Sequence, residues 1–190
     1  MKHKAILALL GLALAWSMPS QASLINSGSA WIPGTFQFDF ESGTISGVSP
    51  TADIFWNQLT GTTRQLQPAF LNSTAALLAL GNTPFAGITE TDLLGYVYST
   101  PFIEGPPGGS LLDVGNTFAV LTAEGHYAKV EVTDYGTGTV GRDFYDIHIA
   151  YALFDGQPAS VPEPGSFALL ALGLAAATVA RQHIHPGRQR

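Results

Sequence analysis

Thr117-Phe118-Ala119-Val120-Leu121-Thr122-Ala123, then Glu124-Gly125, then His126-Tyr127-Ala128-Lys129-Val130-Glu131-Val132-Thr133 is the stretch that decides the fold. Two apolar-rich runs flank a Glu-Gly pair, and Gly125 suits the positive φ that a tight hairpin turn requires. In the second run Lys129, Glu131 and Thr133 alternate with Ala128, Val130 and Val132, which is the period of a strand with one wet and one dry face. Downstream, Gly136-Thr137-Gly138-Thr139-Val140-Gly141 reads as a loop. Asp143 to Phe154 reads as a further strand with Ile147, Ile149, Tyr151 and Leu153 on one face. Three successive antiparallel strands on short connections make a meander. The spacing therefore predicts an all-β, mainly antiparallel body: a single sandwich or partly open barrel with one or two short helices.

Upstream, the first strong pattern is Phe36-Gln37-Phe38-Asp39-Phe40-Glu41, with aromatics at every second position and polar residues between them. Ile45 and Val48 suggest a short continuation past Ser42-Gly43. Asp53 to Leu59 and Arg64 to Gln67 read as strands on either side of a turn at Gly61-Thr62-Thr63. Phe70 to Leu80 is open to two readings. Ser73-Thr74-Ala75-Ala76-Leu77-Leu78-Ala79-Leu80 has helix-forming composition with a stop at Gly81, yet it fits a buried strand as well. Thr89-Glu90-Thr91-Asp92-Leu93-Leu94-Gly95 predicts a short helix, capped by Thr89 with Asp92 three positions on and ended by Gly95. Tyr96-Val97-Tyr98 reads as a strand and Glu104 to Ser110 as a loop.

Charge and composition narrow the chemistry. Between residues 23 and 160 the basic side chains are Arg64, Lys129 and Arg142, against thirteen of the chain's fourteen carboxylates. Such a surface repels phosphate backbones, so no nucleic-acid partner is expected. The chain has no cysteine, which excludes disulfides, thiol chemistry and Cys-ligated zinc. Asp39 and Glu41 on one strand face are carboxylates that could act as acid and base. Asp143, Asp146 and His148 lie close in sequence, with Asp146 and His148 assigned to one strand face, but metal sites usually need three or more converging ligands. A solvated strand face is the simpler reading of both groups. Trp31, Trp56 and the tyrosines could form a stacking platform for a sugar, although core packing is the commoner fate of aromatics in a small β domain. No nucleophile elbow, His-Glu-x-x-His helix or Gly-rich phosphate loop is present. No catalytic residue, metal ligand or cofactor is assigned, and the body is expected to fold without metal.

Both ends of the chain carry targeting chemistry. Lys2, His3 and Lys4 precede an apolar run from Ala5 to Trp16, and Ser20-Gln21-Ala22 puts small residues before Ser23. That layout is a secretory signal peptide, residues 1–22, with cleavage by signal peptidase between Ala22 and Ser23. At the other end, Val161-Pro162-Glu163-Pro164-Gly165 leads into an uncharged run from Phe167 to Ala180, and Arg181, Arg188 and Arg190 follow. The prolines hold their segment extended. The apolar run can satisfy its backbone only as a helix in lipid, and the arginines stay on the cytoplasmic side, with Arg181 as the anchor stop. The run is shorter than the roughly 20 residues that span a bilayer, and Gly165 and Ser166 extend it.

Residues 161–190 together resemble the PEP-CTERM sorting signal of Gram-negative bacteria, a kind of tail also labelled as the C-terminal region of ice-binding proteins. The resemblance implies export, transient membrane anchoring and cleavage near Val161, Pro162, Glu163 and Pro164 by an exosortase, a membrane-embedded cysteine protease. It covers the tail alone. Ala119 to Val130, with its glycine turn and Tyr-Ala-Lys strand, resembles the end of HmuY-like β domains. Those hold haem through a pair of histidines. The body here has His126 and His148, and the ligands are not carried across. The expected layout is thus signal peptide 1–22, exported β domain 23–160 and sorting tail 161–190. The expected role is a non-enzymatic cell-surface or extracellular-matrix protein, with extracellular polysaccharide as a candidate partner. The alternative is a module that binds a small ligand or glycan, with haem its least favoured form.

Overall fold

The computed structural model describes residues 23–156 apart from 62, 72–73, 107–110, 139–142 and 144. The expected signal helix, Ala22, the 161–164 motif, the 167–180 helix and Arg181 lie outside the described residues. Those described form two five-stranded antiparallel sheets facing each other. One sheet contains β1 (Leu24–Ile32), β10 (Ile147–Phe154), β9 (Tyr127–Tyr135), β8 (Thr117–Leu121) and β6 (Ala76–Gly81), in that order. The other contains β3 (Thr44–Ser46), β2 (Phe36–Asp39), β4 (Ile54–Gln58), β5 (Arg64–Pro68) and β7 (Ile103–Glu104). The fold is a β-sandwich, and neither sheet closes into a barrel. A 3-10 turn (Phe85–Gly87) and one capped helix, α1 (Glu90–Gly95), are the helical elements among the described residues.

Alternation builds the core. Ala128, Val130 and Val132 of β9, and Ile147, Ile149, Tyr151 and Leu153 of β10, turn inward as their period demands. They meet Phe38, Phe40, Ile54, Trp56 and Leu66 of the second sheet. Phe38, Phe40 and Tyr151 interlock edge to face, with ring centroids 5.0–5.4 Å apart. Gly125 turns the β8–β9 hairpin at φ +87°, as the sequence requires.

Of the stretch open to two readings, Ala76 to Leu80 resolves as a strand, and packing explains its helix-like composition. Leu77 and Ala79 of β6 face the core between the sheets, while Leu78 and Leu80 lie under a second cluster built on Ile88 and Leu93. Both faces are covered, so the strand reads as an unbroken apolar run. Lys129 fastens this cover to the sheet by donating to the carbonyls of Phe85 (3.0 Å) and Ile88 (2.9 Å). Burial pulls its pKa down.

One sequence expectation needs correction here, and one strand carries no sequence pattern. Tyr96-Val97-Tyr98 is not a strand. Its alternation is real, because Tyr96 and Tyr98 pack on Ile88 and Leu93 while Val97 is exposed, but no strand pairs with it. Instead the Tyr98 hydroxyl donates to the Leu93 carbonyl. The strand β1, whose Asn26-Ser27-Gly28-Ser29 centre lacks an apolar period, precedes the first strong sequence pattern at Phe36.

Candidate functional site

At one end of the sandwich, β2 runs out through Asp39, Phe40 and Glu41 just where the β8–β9 hairpin turns. Asp39, Glu41 and Asp53 each bring a carboxylate oxygen within 4.8 Å of the others, a spacing that a cation could bridge. Asp53 is fully buried. Its Oδ2 accepts from the Phe40 N–H (2.9 Å) in one sheet, and its Oδ1 from the Ala123 N–H (3.0 Å) in the hairpin of the other. Glu41 Oε1 accepts from the Thr122 hydroxyl (2.8 Å) and lies 2.8 Å from His126 Nδ1. Asp39 Oδ1 accepts from the Ser42 N–H.

The electrostatics of this end are one-sided. Burial pushes the Asp53 carboxyl up to about 8, against the pull of its two backbone donors, and the charges of Glu41 and Glu124 add to the rise. Glu124 is raised too, first by burial and then by Glu41. Chemically the cluster can hold a proton at Asp53 or gather a cation. Two of its oxygens, Asp53 Oδ1 and Glu41 Oε1, tie one sheet to the hairpin of the other, while Glu41 Oε2 is buried without a hydrogen-bond partner.

The opposite end is built on Asp146. The sequence reading put Asp146 and His148 on one strand face with Asp143 nearby, and the structure separates them. Asp146 precedes β10 and is buried, its Oδ1 accepting from the Gly34 N–H (3.1 Å) and its Oδ2 from the Asp143 N–H (3.0 Å). His148 points to the outer face, where its ring stacks on Trp31 with centroids 4.6 Å apart and its Nδ1 meets the Thr133 hydroxyl at 2.7 Å. The three groups make no common site.

Of the residues considered as a sugar platform, Trp56 is completely buried, and its indole N–H donates to the Tyr145 carbonyl at 2.9 Å. Trp31 remains half-buried on the outer face of β1. His126, at the hairpin turn, is half-buried on Glu41. Asp53 is the functional group that sequence reading missed. It stood as the first residue of a strand, and only the tertiary fold brings it to Asp39 and Glu41.

The class defined so far is a β-sandwich carrying a separate C-terminal extension. That extension matches the model of the PEP-CTERM protein-sorting motif over residues 160–182. The motif implies an exported protein sorted and processed by an exosortase. No curated protein sequence matches the chain. Among solved structures, an HmuY-like heme-binding protein from Bacteroides vulgatus ATCC 8482 is similar at 16% identity and TM-score 0.42, over 67% of this chain and 91% of that one. The apo HmuY analog of Tannerella forsythia is similar at 12% identity and TM-score 0.40, over 70% of this chain and 98% of that one. Likeness at this distance leaves function to be argued from the residues.

Proposed function

We propose that this protein works at the cell surface or in the extracellular matrix as a non-enzymatic structural or interaction module, released from the membrane when an exosortase removes its tail. The single observation that carries the reading is the sorting motif at 160–182. Its prolines present an extended segment to a protease, and its apolar run holds the chain at the bilayer until the cut. The body supports a structural role, because one oxygen of Asp53 and one of Glu41 are used in hydrogen bonds that join the sheets.

The test uses a host that carries an exosortase, with fractionation and intact-mass measurement. Replacing Pro162 and Pro164 together by alanine lets helix run back from the anchor, and the protein should stay in the membrane uncleaved. Leu172→Asp costs about 2.5–3.5 kcal/mol of insertion free energy and should release soluble protein with its tail intact. Loss of Arg181 should be milder, since Arg188 and Arg190 remain. The released parent should begin at Ser23. Release and trimming of both variants like the parent would reduce the tail to a spacer.

A second reading, a glycan-binding module, draws on the Trp31–His148 stack on the outer face of the first sheet. Loss of polysaccharide retention in Trp31→Ala would favour it, and unchanged retention would set it aside.

A further inference from the structure

We propose that the edge of β1 is a self-association surface: two copies of this chain pair their β1 strands antiparallel about a twofold axis at Gly28, joining two sheets into one. Sheet edges are hydrogen-bonding templates that proteins usually guard. Of the four edges here, β3 has three residues and β7 two. The edge at β6 is met by Thr100, whose N–H donates to the Leu77 carbonyl at 3.0 Å. β1 is different. It is nine residues long, pairs only with β10 among the described residues, and leaves Leu24 54% and Ile25 41% exposed.

The register shows which groups the edge offers. Ser23 accepts from the Asp155 N–H, and after the irregularity at Leu24/Asn26 the pairing with β10 continues through Ser27–Ala152, Gly28–Tyr151 and Ser29–Ala150. The Ser27 N–H bonds to the Asn26 side chain at 2.9 Å instead of to β10. Antiparallel ladders alternate inward and outward bonding residues, so Ser27 and Ser29 turn their backbone groups away from the sheet. Water meets such groups singly, whereas an added extended strand pairs with the row as a whole, the Ser27 N–H exchanging its Asn26 partner for it. No lysine, glutamate or proline interrupts residues 23–32, and the guard this edge does carry is the irregularity at Leu24/Asn26, which leaves residues 27–32 in regular register.

Charge selects a second copy as the partner. The body carries thirteen carboxylates against three basic side chains, so most self-contacts would set like charges together. The uncharged β1 brings none. A twofold antiparallel pairing is self-complementary. It sets Ser27 of one copy opposite Ser29 of the other, with small residues at the centre, and brings exposed Ile25 level with Trp31 of the partner.

The experiment is sedimentation velocity on the exported, processed protein at micromolar concentration, where the parent should show twice the monomer mass. Ser29→Pro removes an outward N–H and is compatible with an edge strand; it should halve that mass with far-UV circular dichroism and thermal midpoint unchanged. The chain has no cysteine, so Ser27→Cys and Ser29→Cys variants can be mixed and oxidised. Random pairing of an equimolar mixture already gives twice as much mixed dimer as either like pair; the register predicts mixed disulfide well beyond that ratio, and this readout decides alone if the proline variant fails to fold. A monomeric parent overturns the proposal, as does a dimer that survives a folded Ser29→Pro, or mixed disulfide at no more than twice either like pair. A monomeric parent that captures a foreign extended peptide on this edge overturns it too, by assigning the edge to another chain.

Discussion

The two ends of the sandwich use one device in opposite electrostatic settings. At each end a buried aspartate accepts two backbone N–H groups: Asp53 from Phe40 and, across the gap between sheets, from Ala123; Asp146 from Gly34 and from Asp143 in its own loop. Around Asp146 stands Arg64, itself buried, whose pKa burial lowers while Asp146 and Asp143 hold it up. Around Asp53 stand Glu41 and Glu124, which raise its pKa further beyond the effect of burial. A carboxylate beside a guanidinium stabilises as an ion. One among carboxylates does so best as an acid.

The largest expected effect tests that contrast directly. Asp146→Asn turns an acceptor into a donor facing an N–H and takes a negative charge from buried Arg64. Each buried group so orphaned costs about 1–3 kcal/mol. Asp53→Asn removes no charge, because burial already holds that carboxyl protonated at neutral pH, and its amide keeps one acceptor. At neutral pH chemical denaturation should show Asp146→Asn as the more destabilised of the two by about 2 kcal/mol. Equal losses would mean that the surrounding charges are irrelevant.

The next concerns pH. Burial pushes the folded Asp53 carboxyl up to about 8, against an ordinary aspartate value of 3.8. The folded state therefore keeps a proton that the unfolded chain releases, and stability falls as pH rises. The contribution is complete below about 3.8 and is lost as pH climbs through about 8. Thermal midpoints measured from pH 4 to 9 should decline, and Asp53→Asn should flatten most of that slope, with Glu124 supplying the remainder. A slope of the same steepness in the variant would remove Asp53 as its source.

Backbone strain separates the ends as well. The β8–β9 turn places a glycine at its positive-φ position, Gly125 at +87°. At the Asp146 end Gly138 (+76°) is joined at positive φ by Thr35 (+70°) and Tyr145 (+64°), neither suited to that region. Both contact Trp56: Thr35 donates its N–H to the Trp56 carbonyl at 2.8 Å, and the Tyr145 carbonyl takes the indole N–H. Thr35→Gly should raise stability by about 1 kcal/mol and Gly125→Ala should lower it by about 1–2 kcal/mol. Shifts of the same sign in urea titrations would contradict the assignment.

How much of this was legible in the sequence follows from where each signal resides. The meander was readable because Ala128, Val130, Val132 and Ile147, Ile149, Tyr151, Leu153 keep a strict period of two. The helix at Glu90–Gly95 was readable from its own cap, and Thr89 and Asp92 do exchange hydrogen bonds. β6 was ambiguous because both of its faces are buried, a property of its neighbours rather than of its own pattern. β1 left no mark because an edge strand of Asn, Ser and Gly owes its conformation to β10 and buries few side chains. Asp39 and Glu41 were visible as a pair. Asp53 and Thr122 were not, since the partners of Asp53 are thirteen and seventy residues distant in the chain.

The smallest expected effect lies at the rim of the acidic end. His126 and Glu41 form an ion pair at 2.8 Å when the imidazole is protonated, but their side chains are 28% and 22% exposed. Water and salt screen such a pair, and partly exposed pairs contribute about 0–1 kcal/mol. His126→Ala also leaves the turn's other bonds in place: the residue-126 N–H still reaches the Thr122 hydroxyl, and that hydroxyl still donates to Glu41. The variant should therefore lose less than about 1 kcal/mol, and the loss should shrink further at high ionic strength. The burial of Asp53 does not depend on His126, so the decline of stability with pH should persist. If His126→Ala instead cost as much as Asp146→Asn, the histidine would be the acidic end's missing counter-charge, and the two ends would share one electrostatic design.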